Sequence, residues 1–201
     1  MEFPPLWISG FQGALLRQLS LMFSSNCGVR FSGVDARIGM LNTTKYLSFV
    51  WAGPMPLAAE LRRPIKQVSL EFPIPNTGPN SVTLWRSDEE GLRLCTEMHG
   101  VAERIEVGVL NFEQVSSHRP DERIADVASA FQSEIAVSKL IVHESGTSAE
   151  SGLILKASNG DEIVIVAGAY PYSLAVLGVP PMPHIFEPEY QVGHYIRVPI
   201  T

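Results

Sequence analysis

The chain is poor in the features that most often announce a function. Only two of its 201 residues are cysteine, Cys27 and Cys95, and neither belongs to a CxxC pair. Two thiols cannot supply the usual structural zinc framework, and nothing local marks them as a disulfide. Buried free thiols in a reducing compartment are the expectation. Basic charge is also sparse. Lys and Arg number 15 against 21 Asp and Glu, a net charge of −6, and Arg62-Arg63 is the only adjacent basic pair. Nucleic-acid binding needs Lys and Arg gathered on one face to displace counterions from phosphates, so neither DNA nor RNA is an expected partner. No apolar run reaches the roughly 18 residues of a membrane-spanning helix, and Met1-Glu2-Phe3-Pro4-Pro5 lacks the positive start of a secretory signal. A cytoplasmic protein with no membrane partner is expected.

Catalytic signatures are missing too. The chain has no GxSxG nucleophile elbow and neither glycine-rich phosphate cradle, GxGxxG or GxxxxGK[ST]. Acyl transfer through such an elbow and nucleotide-dependent chemistry are therefore not expected, and no cofactor is.

What is present is strand. The apolar runs 153–157 and 163–167 flank Asn159-Gly160, the preferred filling of a two-residue hairpin turn because both central residues need φ > 0. Ile163 and Ile165 alternate with Val164 and Val166, so this strand is apolar on both faces and belongs inside a sheet. Strands are expected at 139–144, 152–157, 162–168 and 172–177, with a terminal one at 195–200 that Pro199 assigns to an edge. Earlier, a run from Thr44 contains Tyr46, Phe49, Val50 and Trp51 and stops at Gly53-Pro54. Val68, Leu70 and Phe72 alternate with polar neighbours. Segments around 82–86, 92–96 and 104–112 follow, joined by turns at 87–91 and at His99-Gly100. Such short turns join antiparallel neighbours.

Two helices are expected. Residues 11–23 place Phe11, Ala14, Leu15, Leu16, Leu19, Met22 and Phe23 at helical spacing. The better-specified helix spans 120–137: Pro120 suits the first helical position, Asp121 and Glu122 complement the positive end of the dipole, and Ile124, Val127, Ala128, Phe131 and Ile135 form one stripe. The fold class is thus α+β, predominantly antiparallel sheet in two meanders, with one well-specified helix. The length suits a single domain over 1–201, with a subdivision into 1–115 and 116–201 sharing one core as the alternative.

Three groups of residues are candidates for function. His184, Glu187, Glu189 and His194 carry two imidazoles and two carboxylates, a donor set that zinc, iron or manganese accepts. Asp88, Glu89 and Glu90 form an acidic turn tip suited to a basic partner. Tyr170, Tyr172 and Tyr190 lie on proline-stiffened segments, where aromatic side chains give contact area at low entropic cost. Cys95, Glu97 and His99 share one face of an extended strand about 6.5–7 Å apart, too far for the hydrogen bond of an activated thiol. The resulting expectation is a non-enzymatic protein-binding module with another protein as partner; acidic immunity or inhibitor proteins have this compact, motif-poor profile. The alternatives are a metal-dependent enzyme or small-ligand binder using 184–194, and a structural subunit of a homo-oligomer.

Overall fold

A computed structural model describes residues 45–72, 78–179 and 186–201. The predicted helix at 11–23 lies outside these residues, as do Cys27 and His184. The described chain runs β1 (Lys45–Leu47), β2 (Val50–Trp51), α1 (Leu57–Leu61), β3 (Gln67–Glu71), β4 (Ser81–Ser87), β5 (Glu90–Ala102), β6 (Ile105–Val115) and β7 (Glu122–Asp126). It continues through β8 (Ala136–Glu144), β9 (Thr147–Lys156), β10 (Glu162–Ala167), β11 (Leu174–Leu177), a 3-10 turn (Val192–His194) and β12 (Ile196–Pro199).

These strands make two sheets. The first has the order β11-β10-β9-β8-β12, with β1 pairing parallel to β9; the second has the order β2-β6-β5-β4-β3-β7. Each contains an antiparallel meander, β8 to β11 in one and β3 to β6 in the other. The alternation read from the sequence explains the core. Val68, Leu70, Val82, Leu84, Leu92, Leu94, Leu110 and Phe112 from the second sheet join Leu153, Leu155, Ile163, Ile165, Leu174 and Val176 from the first. Period-two spacing puts these side chains on one face of each sheet, so one shared core forms between them. β10 has a strand on both sides, matching its apolar character on both faces. Among the described residues β12 pairs only with β8, and Pro199 sits in that strand.

The helix expected at 120–137 does not form. Glu122–Asp126 is a strand paired antiparallel with β3, in register from Glu71↔Glu122 to Gln67↔Asp126. Ile124, which a helical stripe would bury, is 49% exposed. The Asp126 carboxylate then accepts the Ala128 N–H at 2.9 Å. An Asp bonding the backbone two residues on competes with helix continuation, and here it turns the chain. Val127, Phe131 and Ile135 still reach the core, but from a turn and the approach to β8. Spacing of three and four residues was thus produced by a strand followed by a turn. Among the described residues the α-helix present is the five-residue α1, so helix contributes little and the α+β expectation reduces to a mainly antiparallel β fold.

The hairpin at Asn159-Gly160 forms with a different turn from the two-residue one expected. Only Gly160 has positive φ, at 96°. Gly160 N–H bonds the Ala157 carbonyl at 3.0 Å, and Ala157 N–H bonds the Asp161 carbonyl at 2.8 Å. This is a tight turn closed by a left-handed glycine, the longer of the common hairpin connections. Asn159 serves through its side chain, accepting Asp161 N–H at 3.0 Å. A Cβ at Gly160 would meet nothing within 4 Å. Gly160→Ala is therefore expected to cost only the conformational penalty, about 1 kcal/mol, in a urea unfolding series.

Candidate functional site

The turn between β10 and β11 displays two of the tyrosines singled out in the sequence as exposed side chains. Tyr170 is 51% and Tyr172 37% exposed. Pro171 occupies the second position of a four-residue turn closed by Ser173 N–H to the Tyr170 carbonyl at 3.0 Å. Proline presets φ at that position, and the third position can then take either negative φ or the positive φ that usually calls for glycine. Tyr172 takes the positive one, at 61°. Holding a bulky residue there costs about 1–2 kcal/mol relative to glycine, so the surroundings must enforce it.

The enforcing contacts are identifiable. Ser173 Oγ donates to the Tyr170 carbonyl at 2.6 Å, and Gly168 N–H donates to the Ser173 carbonyl at 2.9 Å. Thr96 Oγ1 of β5, in the other sheet, donates to that same carbonyl at 2.9 Å. Ala169 N–H bonds the Glu187 carbonyl at 2.8 Å, so the segment following residue 186 braces the turn from outside. Gly168 is required by proximity, since a Cβ there would lie 2.3 Å from Ser173 Oγ. The result is a rigid presentation of two tyrosines.

The other binding candidates do not join this surface. Asp88 and Glu89 are exposed at the β4–β5 turn. Glu90 is half-exposed and paired with Arg63: Arg63 Nη2 donates to it at 2.8 Å, its Nη1 makes a second contact, and this pairing holds the Glu90 carboxyl below its usual range. Glu90 and Thr96 are separated by six residues of β5, about 20 Å of strand, so acidic tip and tyrosine turn are distinct places. Tyr190 is half-buried and packs edge-on against Tyr195, with centroids 6.3 Å apart.

The 184–194 donor set is likewise dispersed where it is described. Glu187 and His194 are exposed, whereas Glu189 turns inward and accepts Gly108 N–H at 3.0 Å. Among the described residues no group of three or more His, Cys, Asp or Glu is placed to hold a metal ion. On β5, His99 Nε2 stands 3.7 Å from Glu97 Oε1, and Cys95 is half-buried.

A polar cluster that sequence reasoning missed lies on the outer face of the second sheet. Register aligns Ser69, Thr83, Arg93 and Glu113 across β3, β4, β5 and β6. Ser69 and Thr83 are small, so Arg93 reaches over them toward Glu122 of β7, with Nη2 3.6 Å from Oε1. The Glu122 side chain is 1% exposed. It accepts Ser69 Oγ at 2.8 Å, and Ser69 Oγ in turn accepts Trp85 Nε1 at 2.8 Å. Residues 116–121 fold across this face: His118 stacks on Trp85 with ring centroids 3.7 Å apart, and Arg119 pairs with Glu71 at 2.7 Å. Thr83 Oγ1, Arg93 Nε, His118 Nδ1 and Glu122 Oε1 are all buried without a hydrogen-bond partner.

Chemically the cluster is not a hydrolytic triad. The Ser69 hydroxyl faces the carboxylate, not the imidazole, and His118 Nδ1 lies 3.5 Å from Glu122 Oε2. A serine nucleophile needs the imidazole as its base, so the order of groups is wrong for activation. The only signal in the sequence is Glu122 beside His118-Arg119, and its partners appear only once the strands are in register. No known protein family, curated protein or solved structure matches this chain.

Proposed function

We propose that the chain is a non-enzymatic protein-binding module whose contact surface is centred on Tyr170 and Tyr172. The observation that carries this reading is the preorganised turn: two exposed tyrosines on a backbone held by hydrogen bonds with Thr96 of β5, Gly168 and the 187 segment, one of them at positive φ. Strain retained at an exposed position points to a use for the conformation. Tyrosine is enriched at binding hot spots, and a turn that is already rigid loses little entropy on association. The net charge of −6 favours a basic partner by long-range attraction, as an acidic inhibitor-like protein would.

The test is capture from native lysate at moderate salt, run in parallel with the wild-type chain and Tyr170→Ala/Tyr172→Ala. A stoichiometric partner held by the wild type and depleted at least about 30-fold by the double variant is expected, the effect of losing a 2 kcal/mol hot spot. Equal recovery of every partner by both proteins would overturn the reading.

A further inference from the structure

One end of the shared core is not closed by apolar side chains. Period-two spacing sets Lys139 on the same face of β8 as Val137, and register pairs it with Leu153 of β9; both of those are core residues. Lys139 and Glu150 therefore put an ion pair where the pattern calls for hydrocarbon. Glu150 is 5% exposed and fully engaged: it accepts Lys139 Nζ, the Tyr46 hydroxyl at 2.8 Å and the Phe49 N–H at 2.7 Å. Lys139 is not. An ammonium carries three donors, and among the described residues Glu150 and, at 3.4 Å, the Tyr46 oxygen engage two.

This ion pair borders an open pocket of about 480 Å³, within the size range of small-molecule sites. Among the described residues β2 and β12 each end a sheet, and the pocket opens between them. Phe49, Trp51, Leu57 and Ile200 line it, half-buried and packed against the core. The Trp51 indole is set in advance: its N–H donates to the Met55 carbonyl at 2.7 Å, and a Cβ at Gly53 would lie 1.9 Å from its Cζ2. Arg62 donates to the Ile200 carbonyl and so brings a second cation beside the wall.

We propose that this opening binds a small apolar carboxylic acid, with the carboxylate on Lys139 and the apolar body against Phe49, Trp51 and Ile200.

The chemistry of the walls selects this class. An amine would meet two cations and find Glu150 already held by three donors. A neutral amide offers Lys139 an acceptor but no charge, and a charge-assisted hydrogen bond is about twice as strong as a neutral one. A hydrocarbon would leave the remaining ammonium donor covered and unsatisfied. A ligand with one anionic end and an apolar remainder satisfies the donor and covers the aromatic wall at once. Placing an ion pair at the edge of a core costs desolvation, and a charged group turned toward a cleft is a common mark of a binding site.

The site shares no residue with the tyrosine turn, so its test is independent of the binding role given to that turn. The full chain is titrated with 1-naphthaleneacetate and, in parallel, with 1-naphthaleneacetamide, which has the same rings and no charge. Amide and indole N–H signals are followed by NMR. Saturable shifts at the Trp51 indole N–H and the Phe49 amide are expected, with a Kd of about 1 mM or tighter for the acid. The amide is expected to bind at least about tenfold more weakly. Lys139→Met/Glu150→Gln removes the ammonium without stranding a carboxylate and keeps an acceptor for Tyr46 and Phe49. It is expected to bind acid and amide alike. No saturable shift at Trp51 and Phe49 up to about 10 mM acid overturns the site. So does equal affinity of the wild type for acid and amide, a comparison that needs no variant to fold. A double variant that still prefers the acid overturns the role of Lys139 and the proposal with it.

Discussion

Arg93→Met is expected to lower folding stability by about 3–5 kcal/mol, because it strands the Glu122 carboxylate inside the protein. The Arg93 side chain is 8% exposed and Glu122 1% exposed, so neither can turn to water when the other is lost. Glu113, the other Arg93 partner at 3.0 Å, is 42% exposed and rehydrates without help. The penalty therefore belongs to Glu122, left with the Ser69 hydroxyl and an imidazole at 3.5 Å. The diagnostic comparison is Arg93→Met/Glu122→Leu. Removing both charges at once is often neutral when apolar side chains fill the space, so the double variant is expected to recover most of the loss. Midpoints of urea unfolding at constant slope provide the readout. A double variant no more stable than Arg93→Met would show that the guanidinium acts by packing over Ser69 and Thr83 rather than by charge.

That cluster also shows where sequence reading stops. The alternation of Ile163 to Val166 identified an interior strand because burial on both faces is a property of one segment. Pro199 identified an outer strand for the same reason: a missing N–H is a local fact. The 120–137 region failed because its apolar residues recur at helical spacing without a helix, and Asp126 reads equally as a solvated helical residue or as the side chain that bonds Ala128. Propensity and spacing were overridden there by the unfilled edge of β3, a non-local partner. The Arg93–Glu122 pair was illegible because 29 residues of chain separate its members, and only strand register brings them together. Asp88-Glu89-Glu90 looked uniform in sequence, yet Glu90, with its side chain still 46% exposed, is paired with Arg63. For the tyrosine turn the reverse holds. Tyr170-Pro171-Tyr172-Ser173 contains its own turn chemistry, so its location was legible. The positive φ at Tyr172 was not, since it depends on Thr96 and Glu187.

Gly178→Ala is expected to destabilise by about 4 kcal/mol, through left-handed strain plus overpacking. Gly178 directly follows β11 at φ 86°, and a Cβ there would lie 1.9 Å from the Glu162 carbonyl oxygen and 3.3 Å from Ile163 Cα. Those contacts are backbone, so no side chain can swing aside. Relief requires displacing either the start of β10 or the chain that carries Val179 into the core, where it is 5% exposed. Gly160 supplies the control, sharing positive φ without a neighbour. Asparagine separates the two causes, since it tolerates left-handed backbone but still carries a Cβ. Gly160→Asn is expected to be nearly neutral, whereas Gly178→Asn should cost almost as much as Gly178→Ala. Equal tolerance of asparagine at both sites in a thermal unfolding series would mean that β11 leaves the sheet without passing so close to Glu162. Close approach, rather than turn conformation, is then what makes glycine necessary at 178 and merely preferred at 160.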